Sequence, residues 1–567
     1  MNTASKIRHY VTALYGEAAA NEVCAKIEAF MDGLPGPGTQ ERHGFTAADT
    51  VLITYGNGIQ SPGQAPLHTL GQFAVRNFAA LFNTIHLLPF FPSSSDDGFS
   101  VVDYARVDPS LGAWEDVAWL GGRFRLIFDL VLNHISARST WMHRYLEGNE
   151  AYADLAIAMD PLADLSAAVR PRASPLLTPF RRGDGRQVHL WTTFSADQVD
   201  LNWANPAVML RMVGVMLDYV RRGAALLRLD AVAYLWKTPG TPCIHLPETH
   251  LIVKLLRAIL DRAAPEAVLL TETNVPHAEN ISYFGDGRDE AQMVYNFTLP
   301  PLLLHTLAEA DATVLSAWAS RLTSPGDDST YLNFTASHDG VGVRPLEGIL
   351  PEAAIGRLAE RVLANQGQLS WREGAGGAKT LYELNATYID ALRQPHTGDP
   401  LLVDRFLASQ SIQYALPGVP ATYLPSLFGA RNWLEGLRRT GRARSINRQP
   451  FQKASLVAEL SDPSSAGHAV YHRYGHLIQV RRRQSAFAPH AASRVLDLGP
   501  SVFGLYRQSA HQTLWALTNV TRHSRRVCLP AVRGEVVDLL DGSPWPAQKV
   551  VLGPYQYRWL AETDPRG

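Results

Sequence analysis

Ala224-Ala-Leu-Leu-Arg-Leu-Asp230 is a short, nearly unbroken apolar run that ends in an acid. Two later runs repeat the pattern, Ala267-Val-Leu-Leu-Thr-Glu272 and Tyr331-Leu-Asn-Phe-Thr-Ala-Ser-His-Asp339. Runs of this length and composition read as parallel strands buried on both faces. Working outward, comparable runs stand at Val51–Tyr55, Thr84–Phe91, Phe124–Leu132, Gln292–Phe297 and Val419–Tyr423. The gaps between them are long enough for crossover helices. Eight such repeats predict an α/β fold, a (β/α)8 TIM barrel; the rival, an open doubly wound sheet, rarely needs eight.

The interval between the third and fourth runs is too long for one helix and holds Pro161, Pro171, Pro175 and Pro179. It predicts an inserted lid domain over residues 136–205. The barrel is then divided between 46–135 and 206–489. A second excursion, a mobile loop region at 340–400, carries the Gly-rich Glu373-Gly-Ala-Gly-Gly-Ala-Lys-Thr380. Residues 1–45 form a helical extension. Ile7, Val11, Leu14 and Tyr15 make one apolar face and Val23, Ile27, Phe30 and Met31 another, before Leu34-Pro-Gly-Pro-Gly38 breaks the helix. From 490 to 567 short alternating runs with turns predict a C-terminal all-β domain.

Composition narrows the function classes. A net charge of −1 over 567 residues gives no footprint for nucleic acid or an acidic membrane. No run approaches a membrane span, and Met1-Asn-Thr-Ala-Ser-Lys6 has no apolar signal core. The three cysteines, Cys24, Cys243 and Cys528, are widely spaced and imply no disulfide framework, which fits a cytoplasmic protein; a monomer or homodimer is expected, a state the sequence does not decide. No His or Cys spacing supports zinc, so no metal is expected and His245 and His250 read as surface or core residues. Gly374–Thr380 is not a P-loop, because Ala378 stands where glycine must precede the lysine; a flexible lid loop is expected. Arg481-Arg-Arg483 reads as a solvated helix face.

In a barrel the strand C-termini form the active face, and the three acids fall there. Arg228 and Asp230, two apart on one strand, share a face, so a guanidinium beside the carboxylate keeps it ionised. The third run ends Asp129-Leu-Val-Leu-Asn133-His134, adding polar groups to the same rim. Glu272 follows an apolar strand, a setting that raises its pKa toward that of a proton donor. His338 is placed to donate to a sugar hydroxyl. Glycosyl transfer needs this equipment: one group attacks the sugar, one moves a proton and one steadies positive charge. A retaining mechanism would set the attacking and proton-moving carboxyls ~5–5.5 Å apart.

Together, Asp129…Asn133-His134, Arg228-Leu-Asp230, Glu272 and His338-Asp339 resemble the four sequence regions of the α-amylase superfamily. Leu88-Pro-Phe-Phe91, Asp96-Asp-Gly-Phe99, Leu299-Pro-Pro-Leu-Leu-Leu-His305 and Arg444-Ser-Ile-Asn-Arg448 are similar to its sucrose phosphorylase subfamily, which transfers α-glucosyl units reversibly to phosphate. The resemblance implies Asp230 as nucleophile, Glu272 as acid/base and Asp339 as stabiliser. It implies Asp96 and Arg444 as the pair that grips the far hydroxyls of the glucosyl ring. His134, Arg228 and His338 become donor-site contacts, Phe99 and Phe194 apolar walls, and Gln198 a neighbour of the acceptor site. It also implies Arg172, Tyr382 and the Leu381 backbone as phosphate contacts, with Tyr234 nearby. No organic cofactor is implied; phosphate and a small α-glucoside are the substrates.

Two positions depart from the sucrose phosphorylase pattern: Asn274 replaces a histidine and Glu383 a glutamine. Both face the acceptor, which puts fructose recognition in question. Leu235-Trp-Lys237, Thr271-Glu-Thr-Asn-Val-Pro-His277 and Gly429-Ala-Arg-Asn-Trp433 look more like glucosylglycerate phosphorylases. A glycerate carboxylate would then look to Asn274, Lys237 or His277. Sucrose, sucrose 6′-phosphate and glucosylglycerol are the competing substrates, and an α-glucosidase or glucosyltransferase with the same triad is the competing enzyme.

Overall fold

Eight short runs of apolar residues form the strands β1 (Val51–Thr54), β2 (Thr84–Leu87), β3 (Arg125–Val131), β4 (Ala224–Asp230), β5 (Val268–Thr271), β6 (Met293–Tyr295), β7 (Thr330–Asn333) and β8 (Val419–Tyr423). In the computed structural model they are parallel and close in sequential order, β8 pairing with β1, into one barrel. All residues are described except 1, 33, 35–43, 324, 374–378, 396–397, 530–531, 533 and 563–567. The expected linker at 34–38 and the Gly-rich loop tip therefore lie largely outside the described residues. The strands are buried almost throughout because helices cover the outside, as the unbroken apolar runs require.

Two excursions leave the C-terminal face. After β3, His134–Ser136 pairs antiparallel with Gln198–Asp200, so the first excursion begins and ends at one point on the rim. Within it Ala158–Met159, Gln187–Trp191 and Leu177–Arg181 form a three-stranded sheet. After β7, Val341–Gly342, Lys379–Asn385 and Gln368–Glu373 form another, with Lys379–Asn385 in the middle. Its register slips by one: Ser370 faces Glu383, whereas Trp371 faces Leu381. Tyr382 is the extra residue of a β-bulge, the device that re-aims side chains beside functional sites.

The N-terminal helices Thr3–Tyr15 and Glu17–Met31 turn at Gly16 (φ 79°) and pack on the barrel helices Pro247–Ala263 and Pro206–Arg221. At the other end of the chain, a six-stranded antiparallel sheet runs from Ala492–Val495 to Tyr557–Glu562 around Trp515, Leu517, Val536 and Leu560. The three cysteines are free, and among the described residues no helix is long and apolar enough to cross a membrane.

Arg481 corrects the expectation of a solvated basic face. It is fully buried at the end of helix Ala466–Arg482 and donates to the carbonyls of Ala47, Asp49, Gly418 and Phe487. One five-donor guanidinium satisfies the chain where it enters β1 and β8, so its partners are backbone oxygens that charge patterning cannot show.

Candidate active site

The register of β3 and β4 sets Arg228 directly opposite Asp129. Arg228 Nη1 donates to Asp129 and, at 2.8 Å, to Asp230 Oδ1, while Nη2 lies 3.9 Å from Glu272 Oε1. One buried guanidinium thus holds three carboxylates. Beneath it His86 Nε2 stands 2.7 Å from Asp129 Oδ2, and Tyr295 OH 3.2 Å from His86 Nδ1. Sequence reasoning missed His86 and Tyr295; a histidine inside the otherwise apolar Thr84–Leu87 was the available signal.

Glu272 directly follows β5 and receives a 3.0 Å hydrogen bond from the backbone N–H of Ala231. Ala231 adopts a left-handed conformation (φ 51°) that turns the chain sharply after Asp230. Burial pushes Asp230 and Glu272 up to about 7, against the pull of Arg228. Asp230 takes the 2.8 Å guanidinium bond and Glu272 only the 3.9 Å approach, so Arg228 favours the ionised form of Asp230 more than that of Glu272.

Asp339 behaves oppositely. Burial alone would raise it, but Arg444, with Nη1 2.6 Å from Oδ1, leads the neighbouring cations in holding it well below the carboxylate range. Arg444 also gives Nη2 and Nε to the two oxygens of Glu383, the latter at 3.1 Å. Asp96 and Arg444 both line the cleft, and among the described residues no ion pair joins them. Asp96 instead lies 3.5 Å from Gln198 Nε2 and 3.9 Å from Arg448 Nη1. The reason is Glu383, whose buried, bidentate carboxylate captures the guanidinium.

The walls are aromatic. His338 stacks on Phe99 with ring centroids 4.6 Å apart and planes 9° apart. Phe194 lies 5.3 Å from His134 and 5.5 Å from Tyr234. Burial lowers the pKa of both His134 and His338, so each presents a neutral ring. These groups, with Asp96, Gln198, Asn274, Arg172, Tyr382, Glu383 and Arg444, line one cleft above the three acids. Arg228 lies beneath its floor.

On the rim, Arg172 from the first excursion sits over the Tyr382 ring at 4.9 Å and 6.0 Å from Phe194. The bulge lets Tyr382 and its neighbour Glu383 both line the cleft, whereas Leu381 does not. Two suggested carboxylate contacts are elsewhere. Lys237 is buried against Asp200 at 2.5 Å and Asn133 at 3.0 Å. His277 stacks on Tyr331 behind β7. Asn274 does line the cleft, and its Oδ1 is buried without a hydrogen-bond partner. A Cβ at Gly342 would collide with the Asn274 amide, so glycine there lets that amide keep its place.

Residues 81–330 match the family described as alpha amylase, catalytic domain. The glucosylglycerate phosphorylase of Escherichia coli (strain K12) is 42% identical over 98% of this chain and 99% of its own. The chain belongs to this phosphorylase branch of the α-amylase superfamily. A glucosylglycerate phosphorylase of Allomeiothermus silvanus is 44% identical over 97% of each chain. The solved structure of sucrose 6F-phosphate phosphorylase from Thermoanaerobacter thermosaccharolyticum shares the fold, with TM-score 0.73 and 24% identity over 83% of this chain and 94% of that one. Membership accounts for the barrel.

Proposed function

We propose that the chain phosphorolyses 2-O-α-glucosylglycerate reversibly to α-glucose 1-phosphate and glycerate by double displacement. One observation carries the reading: in a cleft built on the α-amylase barrel, a single buried guanidinium binds Asp230 at 2.8 Å and only approaches Glu272 at 3.9 Å, an asymmetry that suits one carboxyl to attack and the other to hold a proton. Asp230 attacks the anomeric carbon while Glu272 protonates the departing glycerate oxygen. The glucosyl unit is then held as an ester on Asp230, and Asp339, kept ionised by Arg444, steadies the oxocarbenium-like states on either side. His134, His338, Phe99 and Asp96 seat the ring. Phosphate enters beside Arg172 and Tyr382, gives its proton to Glu272 and attacks from the face that glycerate left. The carboxylates supply both nucleophile and proton, so the scheme calls for no cofactor, and phosphate is a substrate. We place the protein in the cytoplasm, as a monomer or homodimer.

The relatives' full-length similarity supports glycerate over fructose, and Glu383 supports it independently. The position expected to meet fructose is occupied by a carboxylate already committed to Arg444. Phosphate consumption and glucose 1-phosphate formation, measured in parallel with glucosylglycerate, glucosylglycerol, sucrose and sucrose 6′-phosphate, test the reading. Fast turnover of glucosylglycerate alone is expected. Release of free glucose at a rate indifferent to phosphate would establish a hydrolase instead.

A further inference from the structure

The proposed reaction uses two anions, glycerate and phosphate, and the cleft must offer each a cation. Two guanidinium groups line it among the described residues, Arg172 and Arg444. They are not equivalent. All three nitrogens of Arg444 are engaged: Nη1 is on Asp339, and Nη2 and Nε are on Glu383. Arg172 has a quarter of its side chain exposed, donates no hydrogen bond to the described residues and has one carboxylate near it, Glu383 Oε1 at 3.9 Å from Nη1. Its planar group lies over the Tyr382 ring at 4.9 Å and 6.0 Å from the Phe194 ring. A guanidinium that lies over a ring and is open to the cleft is a bidentate seat for an oxyanion. Lys237 and His277 are spent elsewhere.

We infer, resting on the phosphorolysis reading, that Arg172 is the shared anion seat of both half-reactions, gripping the glycerate carboxylate in one and phosphate in the other. Glu383 is its resident counter-ion. The two anions then occupy the cleft in turn and never together, as double displacement requires. Glu383 sits between Arg172 and Arg444, so it weakens both anions alike by lowering the positive charge they meet. The selectivity follows from this arrangement: a neutral acceptor of the same size gains nothing from Arg172 and leaves its guanidinium unpaired in a half-buried site.

The test compares KM for phosphate in phosphorolysis with KM for glycerate in synthesis from glucose 1-phosphate, in wild type, Arg172→Gln, Arg172→Lys and Glu383→Gln. Loss of a bidentate charge-assisted contact corresponds to about ten- to hundredfold in affinity. Arg172→Gln is expected to raise both KM values by that factor, and Arg172→Lys, which keeps the charge and loses the fork, to raise both by less. Glu383→Gln is expected to lower both, and it still decides the matter if Arg172→Gln is too slow to assay. A rise for phosphate with glycerate unchanged would overturn the shared seat while leaving the reaction intact. So would a Glu383→Gln effect confined to one anion or opposite in sign. A wild type that makes no glucose 1-phosphate from glucosylglycerate would remove the reaction and the seat together.

Discussion

The floor and the rim of the cleft are built on opposite principles. The floor hangs from the ends of β3, β4 and β5, where adjacent strands fix Arg228 opposite Asp129 and two residues before Asp230. Its charges are buried, and each carboxylate has a partner dictated by strand register. The rim comes from two excursions, one carrying Arg172 and the other Tyr382 and Glu383. It is held by ring stacking, a bulge and an approach of 3.9 Å. A lattice of hydrogen-bonded strands places groups that must be accurate for bond breaking. Loops placed by side-chain contacts suit groups that must accept two different anions in turn. Variants in the floor should therefore cost turnover or stability, and variants in the rim apparent affinity.

The largest effect is expected at Asp230. Asp230→Ala should lower kcat by at least ~10⁴-fold with every donor, since no other group can form the glucosyl ester. Steady-state rates on glucosylglycerate check it, and a loss smaller than tenfold would move the nucleophile elsewhere. Glu272→Gln comes next, at about 10²–10⁴-fold. It also separates the two carboxyls. With its pKa raised to about 7 by burial, Glu272 is protonated below that value and ionised above it, so kcat/KM of the wild type should fall as pH rises through about 7. The Gln variant should lose that alkaline limb; if the limb persisted, the proton would belong to another group.

Stability sharpens the contrast. Arg228→Met leaves Asp129, Asp230 and Glu272 buried without their cation and should cost about 3–5 kcal/mol in denaturant unfolding. Arg172, half-buried on the rim, should cost under about 1 kcal/mol when changed to Gln. Equal losses would mean that floor and rim are one rigid unit. The smallest effect is at Tyr382. Tyr382→Leu removes the ring under Arg172, a contact of about 0.5–2 kcal/mol, and should raise KM for phosphate about two- to thirtyfold with kcat little changed.

Much of this site was legible before folding. The apolar runs ending at Asp230, Glu272 and Asp339 announced both strands and acids, because a parallel strand buried on both faces tolerates a charge only where it emerges. Arg228 was readable for the same reason, two residues before Asp230 on one face. Other features were hidden. His86 and Tyr295 join the floor only because β2 and β6 face one another across the closed barrel. Lys237, a plausible acceptor contact by position, is drawn into a buried pair with Asp200 that arrives from the first excursion.

Local sequence determined the strands, their order of appearance and the acids at their ends, since apolar periodicity and strand length are properties of neighbours along the chain. Tertiary structure alone decided partnership. It gave Arg444 to Glu383 and Asp339, and buried Arg481 among backbone carbonyls. It also left Arg172 facing the cleft with Glu383 3.9 Å away. A charge takes the partner that burial brings within reach, and for these arginines most partners lie tens to hundreds of residues away.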